Sequence, residues 1–201
     1  MIIINKKPSI LLIIFQKIIT KTFALLDRLR WKSYYMSIVN HFHSFGDSVV
    51  IDYGVQFGSP ANISIGNNVF IGKNVMINAG KGGEITISDG ASIGAYSTII
   101  TWNLDNLGNR GLRRAVNKNT FKDVIIGKGV GVGYSVTINP GVVLGDGCEV
   151  AAGSVVTRSV KPYAIMAGSP AVLIGMKQDG VAPETINEEN MMSMMKTSYK
   201  P

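Results

Sequence analysis

The sequence contains little cysteine and few charged or aromatic residues, and each shortage narrows the class of protein. Its single cysteine, Cys148, excludes an internal disulfide framework and a cysteine-rich metal site, and no metal is expected. This cysteine usage fits a reducing, cytoplasmic compartment. Only 16% of the 201 residues are charged, whereas 46% are hydrophobic, so the chain can bury a sizeable core. The 23 glycines and many β-branched residues predict short strands joined by tight turns.

Long hydrophobic runs are also missing, which bears on the N-terminal segment. The longest run, Ile10–Phe15, is too short to span a bilayer, and no small-residue cleavage site follows it. A signal peptide is therefore not expected. Residues 1–43 hold seven lysines and arginines against Asp27, which accounts for nearly all of the net charge of +7. Because this basic segment is also apolar, lipid is favoured over nucleic acid as its partner.

An amphipathic helix is predicted in the same segment. Its apolar face can be formed by Ile10, Ile13, Ile14, Ile18 and Leu25, with Lys17, Lys21 and Arg28 off that face. Residues 1–30 would then lie on an anionic membrane surface. The alternative is a helix that packs on the body of the protein or on a neighbouring subunit.

An aliphatic residue recurs at every sixth position through most of residues 63–156. The longest run is Ile126, Val132, Ile138, Leu144, Val150 and Val156. Shorter runs are Ile65, Ile71 and Ile77, then Ile87, Ile93 and Ile99. A period of six fits neither an α-helix nor a continuous strand, but it suits a short strand plus a tight turn. A β-sandwich would show turn signals every 8–12 residues instead.

This period predicts an all-β fold, a left-handed parallel β-helix whose triangular coils contain about 18 residues each. The predicted boundaries are a helical segment at 1–47, the β-helix at 48–177 and a tail at 178–201. The register fails at residues 101–123, which are polar, rich in glycine and asparagine, and locally basic. We expect this stretch to leave the solenoid as an external loop and to be functional.

The repeats also resemble a known family. The strings VIIGKGVGVGYSVTINPGVVLGDGCEVAAGSVVTRSV and KPYAIMAGSPAVLI are similar to those of bacterial hexapeptide-repeat acyltransferases. The maltose/galactoside and surface-polysaccharide O-acetyltransferases are the most similar subgroup, and the resemblance covers about residues 48–177. It implies a homotrimer with active sites between subunits, acetyl-CoA as the acyl donor, and a histidine that acts as general base on a sugar hydroxyl.

The resemblance places that histidine in a T-H-P-L-D string at the start of the loop. The corresponding residues here are Thr101–Asp105, and Trp102 occupies the histidine position. An indole nitrogen is only a donor, so Trp102 cannot accept the proton. Asp105 could serve as the base if burial beside Trp102 raised its pKa. The two histidines of the chain, His41 and His43, precede the first clear coil and would share one side of an extended segment.

The resemblance also implies binding residues. Asn74 is the candidate for an acceptor-side asparagine, and Asn103 and Arg110 of the loop are candidates for acceptor binding. The candidates for the acetyl-CoA groove are Gly133, Tyr134, Ala152, Gly153, Thr157, Arg158, Gly168, Ser169, Pro170 and Lys177. Two positions depart from the family pattern, because Gly131 replaces a tryptophan and Val172 replaces a basic residue near the nucleotide phosphates. Lys177 is the candidate to replace that basic residue.

Two functions from different classes follow. The first is an acetyl-CoA-dependent O-acetyltransferase that acts on a sugar hydroxyl, in surface polysaccharide biosynthesis at the inner membrane. The second is a catalytically degenerate relative that keeps the trimeric scaffold and binds a glycan or a partner. Trp102 suits the second function, since tryptophan stacks well on sugar rings.

Overall fold

The computed structural model describes residues 10–105 and 118–177, with side chains from 14 to 103 and from 120 to 177. The chain divides into two compact units, Met1–Asn40 and His41–Pro201. Helix α1, Ile10–Ile38, forms the first unit. Every side chain from Ile14 to Arg30 is exposed. Among the described residues, no helix combines the length and the apolar character needed to cross a membrane.

The second unit is a stack of three-sided coils built from short strands. Its strands are β1 Ser44–Phe45, β2 Val50–Ile51, β3 Gln56–Gly58, β4 Ile63–Ile65, β5 Phe70–Ile71, β6 Met76–Asn78, β7 Ile85–Ile87, β8 Ser92–Ile93, β9 Thr98–Ile100, β10 Trp102–Asp105, β11 Lys118–Phe121, β12 Val124–Ile126, β13 Gly131–Val132, β14 Thr137–Ile138, β15 Val143–Leu144, β16 Glu149–Val150, β17 Val155–Val156, β18 Ala164–Gly168 and β19 Ala171–Met176. Short 3-10 turns occupy Val39–His41 and Pro60–Asn62. His41 therefore lies in a turn, so the extended segment that would place His41 and His43 on one side is not present there.

Apart from β10 and β11, the described strands form three parallel stacks, one on each side of the coil. Sheet A has the order β1-β4-β7-β12-β15, sheet B has β19-β18-β16-β13-β8-β5-β2, and sheet C has β17-β14-β9-β6-β3. Equivalent hexapeptide positions face each other in successive coils, since Ile126 pairs with Ile87 on one side and with Leu144 on the other. Only β19 runs antiparallel within these sheets, as the partner of β18 at the edge of sheet B. The prediction of a parallel β-helix is confirmed.

The periodic aliphatic side chains fill the interior, as the six-residue period predicts. Ile99, Ile126 and Ile138 have no exposed surface. A second six-residue run, Val124, Val130, Val136 and Val142, is continued by Cys148 and Ser154, and these two residues are fully buried too. Burial raises the pKa of the Cys148 thiol to about 11, so this thiol is un-ionised near neutral pH and is a poor nucleophile.

The external loop begins and ends with paired strands instead of irregular chain. β10 and β11 run antiparallel, with Trp102 opposite Phe121 and Asp105 opposite Lys118. A hexapeptide pattern cannot reveal this pairing, because neither strand follows the six-residue period. The candidate Arg110 lies outside the described residues.

Candidate active site

Several predicted binding residues meet at the turns that join sheet B to sheet C, which we call the BC corner. Its turns stack as Tyr53–Gly54, Lys73–Asn74, Ala95–Tyr96, Tyr134–Ser135 and Ala152–Gly153. Backbone hydrogen bonds link these turns, for example from the Gly153 amide to the Tyr134 carbonyl at 2.8 Å and from the Asn74 amide to the Tyr53 carbonyl at 3.0 Å. The structure therefore brings Asn74, Tyr134 and Gly153 to one edge of the β-helix.

The second residue of each BC turn has left-handed backbone geometry. Asn74 has φ 54°, Tyr96 has φ 62°, Ser135 has φ 55° and Gly153 has φ 72°. Asparagine and glycine tolerate this region, whereas a bulky tyrosine is strained there. The same geometry occurs at other corners, for example at Asn68 and Tyr163, so it belongs to the coil turns. Tyr96 is 54% exposed at the BC corner, and its amide donates to the Lys73 carbonyl next to Asn74, so its position makes it a site candidate that the sequence analysis missed.

Gly153 and Gly168 form the upper end of the BC corner. The Gly168 amide donates to the buried Ser154 hydroxyl at 3.1 Å, which brings the turn between β18 and β19 next to Gly153. That turn contains Ser169 and Pro170, two more predicted groove residues, and both are exposed. A Cβ atom placed on Gly153 would meet nothing within 4 Å. Open space therefore adjoins this backbone, as a ligand groove requires.

A second group of predicted residues lies at the turns from sheet C to sheet A, which we call the CA corner. Trp102 and Asn103 follow β9 there, and Thr157 and Arg158 follow β17 at the same corner of a later coil. Asn103, Thr157 and Arg158 are exposed, whereas Trp102 is half-buried. Sheet C separates the two corners, so on one chain the predicted residues flank its outer face.

Trp102 is half-buried because it packs against a glycine-rich turn, residues 79–83, which we call the glycine loop. A Cβ atom on Gly80 would lie 2.8 Å from Phe121 Cε1 and 3.1 Å from Trp102 Cδ1. A Cβ atom on Gly83 would lie 2.6 Å from Thr101 Cβ. The buried Thr101 hydroxyl donates to the Ala79 carbonyl. The glycine loop thus fixes the base of the external loop, a role that sequence reasoning missed although the AGKGG string interrupts the repeat.

Lys177 is not brought to either group. Its ammonium forms a 2.8 Å ion pair with Glu149, and its amide donates to the Tyr163 carbonyl. Glu149 begins a strand of sheet B, so this ion pair lies at the side of sheet B away from the BC corner. Among the described residues, no cluster of three or more histidine, cysteine or carboxylate side chains could hold a metal ion.

We expect Gly83→Ala to destabilise the β-helix by about 1–3 kcal/mol, because the new methyl group would overlap Thr101 in a buried contact. Thermal or urea unfolding measures the loss. Gly175→Ala is the matched control, since its Cβ atom would have an ordinary 3.7 Å contact with Ile165 Cδ1. Equal stability of the two variants would show that the glycine loop does not hold the base of the external loop.

Comparison with known proteins agrees with this architecture. The family model "Bacterial transferase hexapeptide (six repeats)" matches residues 123–158, and "Hexapeptide repeat of succinyl-transferase" matches residues 62–99. A provisionally named acetyltransferase of Staphylococcus aureus (strain COL) is 31% identical over 145 residues, which cover 68% of this chain and 69% of the relative.

Solved structures give the same relationship. A galactoside acetyltransferase in complex with coenzyme A is 30% identical, with a TM-score of 0.63, and the match covers 71% of this chain and 68% of that chain. The hexapeptide-repeat acetyltransferase VCA0836 of Vibrio cholerae O1 biovar eltor, complexed with acetyl coenzyme A, is 28% identical, with a TM-score of 0.64 and coverage of 74% and 78%. The chain belongs to the bacterial hexapeptide-repeat acetyltransferase family.

Proposed function

We propose that this protein is an acetyl-CoA-dependent O-acetyltransferase that acetylates a sugar hydroxyl. The observation that carries the proposal is the BC corner, where the exposed Tyr134 lies beside Gly153, whose backbone adjoins open space. The related structures that contain coenzyme A or acetyl coenzyme A support the choice of donor. A galactoside O-acetyltransferase of Escherichia coli (strain K12), 31% identical over 133 residues that cover 66% of this chain and 63% of that protein, supports a sugar acceptor. A cytoplasmic role in surface polysaccharide biosynthesis is part of the proposal.

The proposed reaction is acyl transfer from a thioester to an alcohol. The acceptor oxygen attacks the acetyl carbonyl carbon, the carbon–sulfur bond breaks, and the hydroxyl proton passes through a base to the leaving sulfur. Such a base is needed because a sugar hydroxyl is protonated at neutral pH. Asp105 is our candidate base, since Trp102 cannot accept a proton. Asn74, Asn103 and Arg110 are the candidates for holding the acceptor.

We also propose a homotrimer, which would let the BC corner of one copy and the CA corner of another line a single groove. Exposed apolar side chains support contacts between copies. Ile125 and Val143 are 41% and 40% exposed and pair on the outer face of sheet A. Val172, Leu173 and Ile174 of the edge strand β19 are 58–62% exposed. Sedimentation equilibrium at micromolar concentration should give three times the chain mass of 21.6 kDa, and a monomer mass would contradict the proposal.

Calorimetry with CoA and thiol release from acetyl-CoA with a panel of sugars test the activity. The buried Cys148 thiol should add little background to the thiol assay. We expect Ala152→Trp to weaken CoA binding about tenfold or more, a loss of ~1.4 kcal/mol, because the indole would fill the groove. Lys128→Trp is the matched control, since Lys128 is also exposed but lies between sheets A and B. Wild-type protein that neither binds CoA nor releases thiol would reject the enzyme.

One observation favours a second candidate, a catalytically inactive glycan-binding scaffold. Trp102 stands in the position of the family's histidine and packs against Gly80, so that position supports the loop instead of supplying a base. The scaffold would bind glycans without releasing CoA. Glycan binding in calorimetry together with no turnover for any sugar would favour this candidate over the enzyme.

A further inference from the structure

We infer that helix α1 anchors the protein to an anionic membrane by lying in the plane of the lipid surface. This inference concerns the first unit of the chain and does not depend on the proposed acyl transfer. It rests on the exposure of the helix and on the arrangement of its apolar and basic side chains.

Large apolar side chains predominate on one broad side of α1, where Thr22, Arg30, Ser33 and Ser37 interrupt them. At 3.6 residues per turn they fall within an arc of about 180°. They are Ile14, Leu25, Ile18, Met36, Leu29, Phe15, Leu26, Ile19 and Phe23, in angular order, and their exposed fractions run from 38% to 68%. In water this surface is costly, because apolar area stays hydrated. A surface of this size therefore indicates an interaction partner.

The basic side chains identify the partner. Lys17, Lys21, Arg28 and Lys32 occupy a strip of about 60° along the edge of the apolar arc that begins at Ile14. From Ile14 to Ile38 the helix carries a single acidic residue, Asp27, whose carboxylate pairs with Arg30 at 3.4 Å. When the apolar arc is buried at the boundary between headgroups and acyl chains, these cations reach the headgroups. That complementarity favours anionic lipid.

Aromatic side chains mark the C-terminal end of the helix. Trp31 lies 5.8 Å from Tyr35 in a stacked arrangement and 5.6 Å from Tyr34 in an edge arrangement, measured between ring centroids. At 3.6 residues per turn Trp31, Tyr34 and Tyr35 fall outside the apolar arc, and all three are half-buried. They pack against one another on the other side of the helix and add no area that faces the lipid.

A pair of helices from two copies fits this surface less well. Helices that pair in a coiled coil meet along a narrow seam, with apolar residues spaced 3.5 on average. The arc on α1 is about half of the circumference, far wider than such a seam. Pairing two helices would leave Phe15 or Phe23 in water, whereas a lipid surface covers the whole arc.

Flotation of the full-length protein with vesicles tests the inference. We expect binding to vesicles of phosphatidylcholine and phosphatidylglycerol, weaker binding to phosphatidylcholine alone, and loss of binding as salt rises. The double variant Lys17→Glu/Lys21→Glu should bind anionic vesicles about tenfold more weakly or worse. Lys128→Glu/Lys161→Glu is the charge-matched control on the β-helix, and it should bind as the wild type does.

A second variant separates lipid contact from charge alone. Phe15→Ser/Phe23→Ser removes apolar area without changing charge and should also release the protein from vesicles, with the β-structure signal in circular dichroism unchanged. Equal binding of wild type and the lysine variant, or no preference for anionic vesicles, would overturn the inference. So would helix variants that change the sedimentation mass but leave vesicle binding intact, because that result identifies a second copy as the partner. The flotation assay contains neither acetyl-CoA nor sugar, so a lack of vesicle binding would not contradict the proposed acetyl transfer.

Discussion

Replacing Asp105 by asparagine should lower kcat/KM for acetyl transfer by about 10²–10⁴-fold, the usual loss when a general base is removed. Asn keeps the shape of the side chain but cannot take the acceptor proton. Asp105 is the last residue of β10, the strand that begins with Trp102 at the glycine loop. The strand therefore defines the backbone position of Asp105. The loss should appear in kcat, because the base acts in the transition state and not in donor binding.

Steady-state kinetics with saturating acetyl-CoA, together with calorimetry for CoA affinity, measure this effect. Thr120→Ala is the matched control, because Thr120 is an exposed residue of β11, opposite Asn103 in the same two-stranded sheet. CoA affinity should stay unchanged in both variants. If Asp105→Asn retains activity within a few-fold of an active wild type, Asp105 is not the base. That outcome would not contradict the proposed acetyl transfer, whereas a wild-type protein without activity would.

The sequence predicted the β-helix well because the fold repeats one simple requirement. Every interior position needs an apolar side chain of limited size, and the six-residue period records that requirement directly. Cys148 and Ser154 show how closely burial follows this period, since both continue the run that starts at Val124 and both are buried. Ser154 remains compatible with the interior because its hydroxyl accepts the Gly168 amide hydrogen bond.

The candidate site was harder to predict, because its residues are set by contacts between coils and by the external loop. The six-residue period does not predict that Tyr96 takes a left-handed turn position beside Asn74 and Ser135. The resemblance assigned Trp102 to the histidine position, but the contact with Gly80 became visible only in three dimensions. Lys177 shows the same limit, since its partner Glu149 is 28 residues away along the chain but adjacent in space.

The stability of the β-helix depends on side chains that are shared between coils, and Ile138→Ala tests this dependence. Ile138 is fully buried and pairs with Ile99 in one neighbouring coil and with Val156 in the other. We expect the substitution to cost about 2–5 kcal/mol, from lost burial plus the cavity that remains. Because no coil is stable alone, weakened stacking on both sides should lower the stability of the whole solenoid.

Thermal unfolding at one fixed protein concentration measures the loss, since any oligomer makes the midpoint depend on concentration. The midpoint should fall on the order of 10 °C for Ile138→Ala. Thr137→Ala in the same strand is the control, because Thr137 is half-buried on the outer face of sheet C and its loss should stay below about 1 kcal/mol. Equal losses of stability in the two variants would mean that interior packing does not stabilise this coil. A melting curve with two separate transitions would mean that neighbouring coils unfold independently. A single cooperative transition at lower temperature is the expected result, because each interior side chain of β14 packs between two coils and stabilises both.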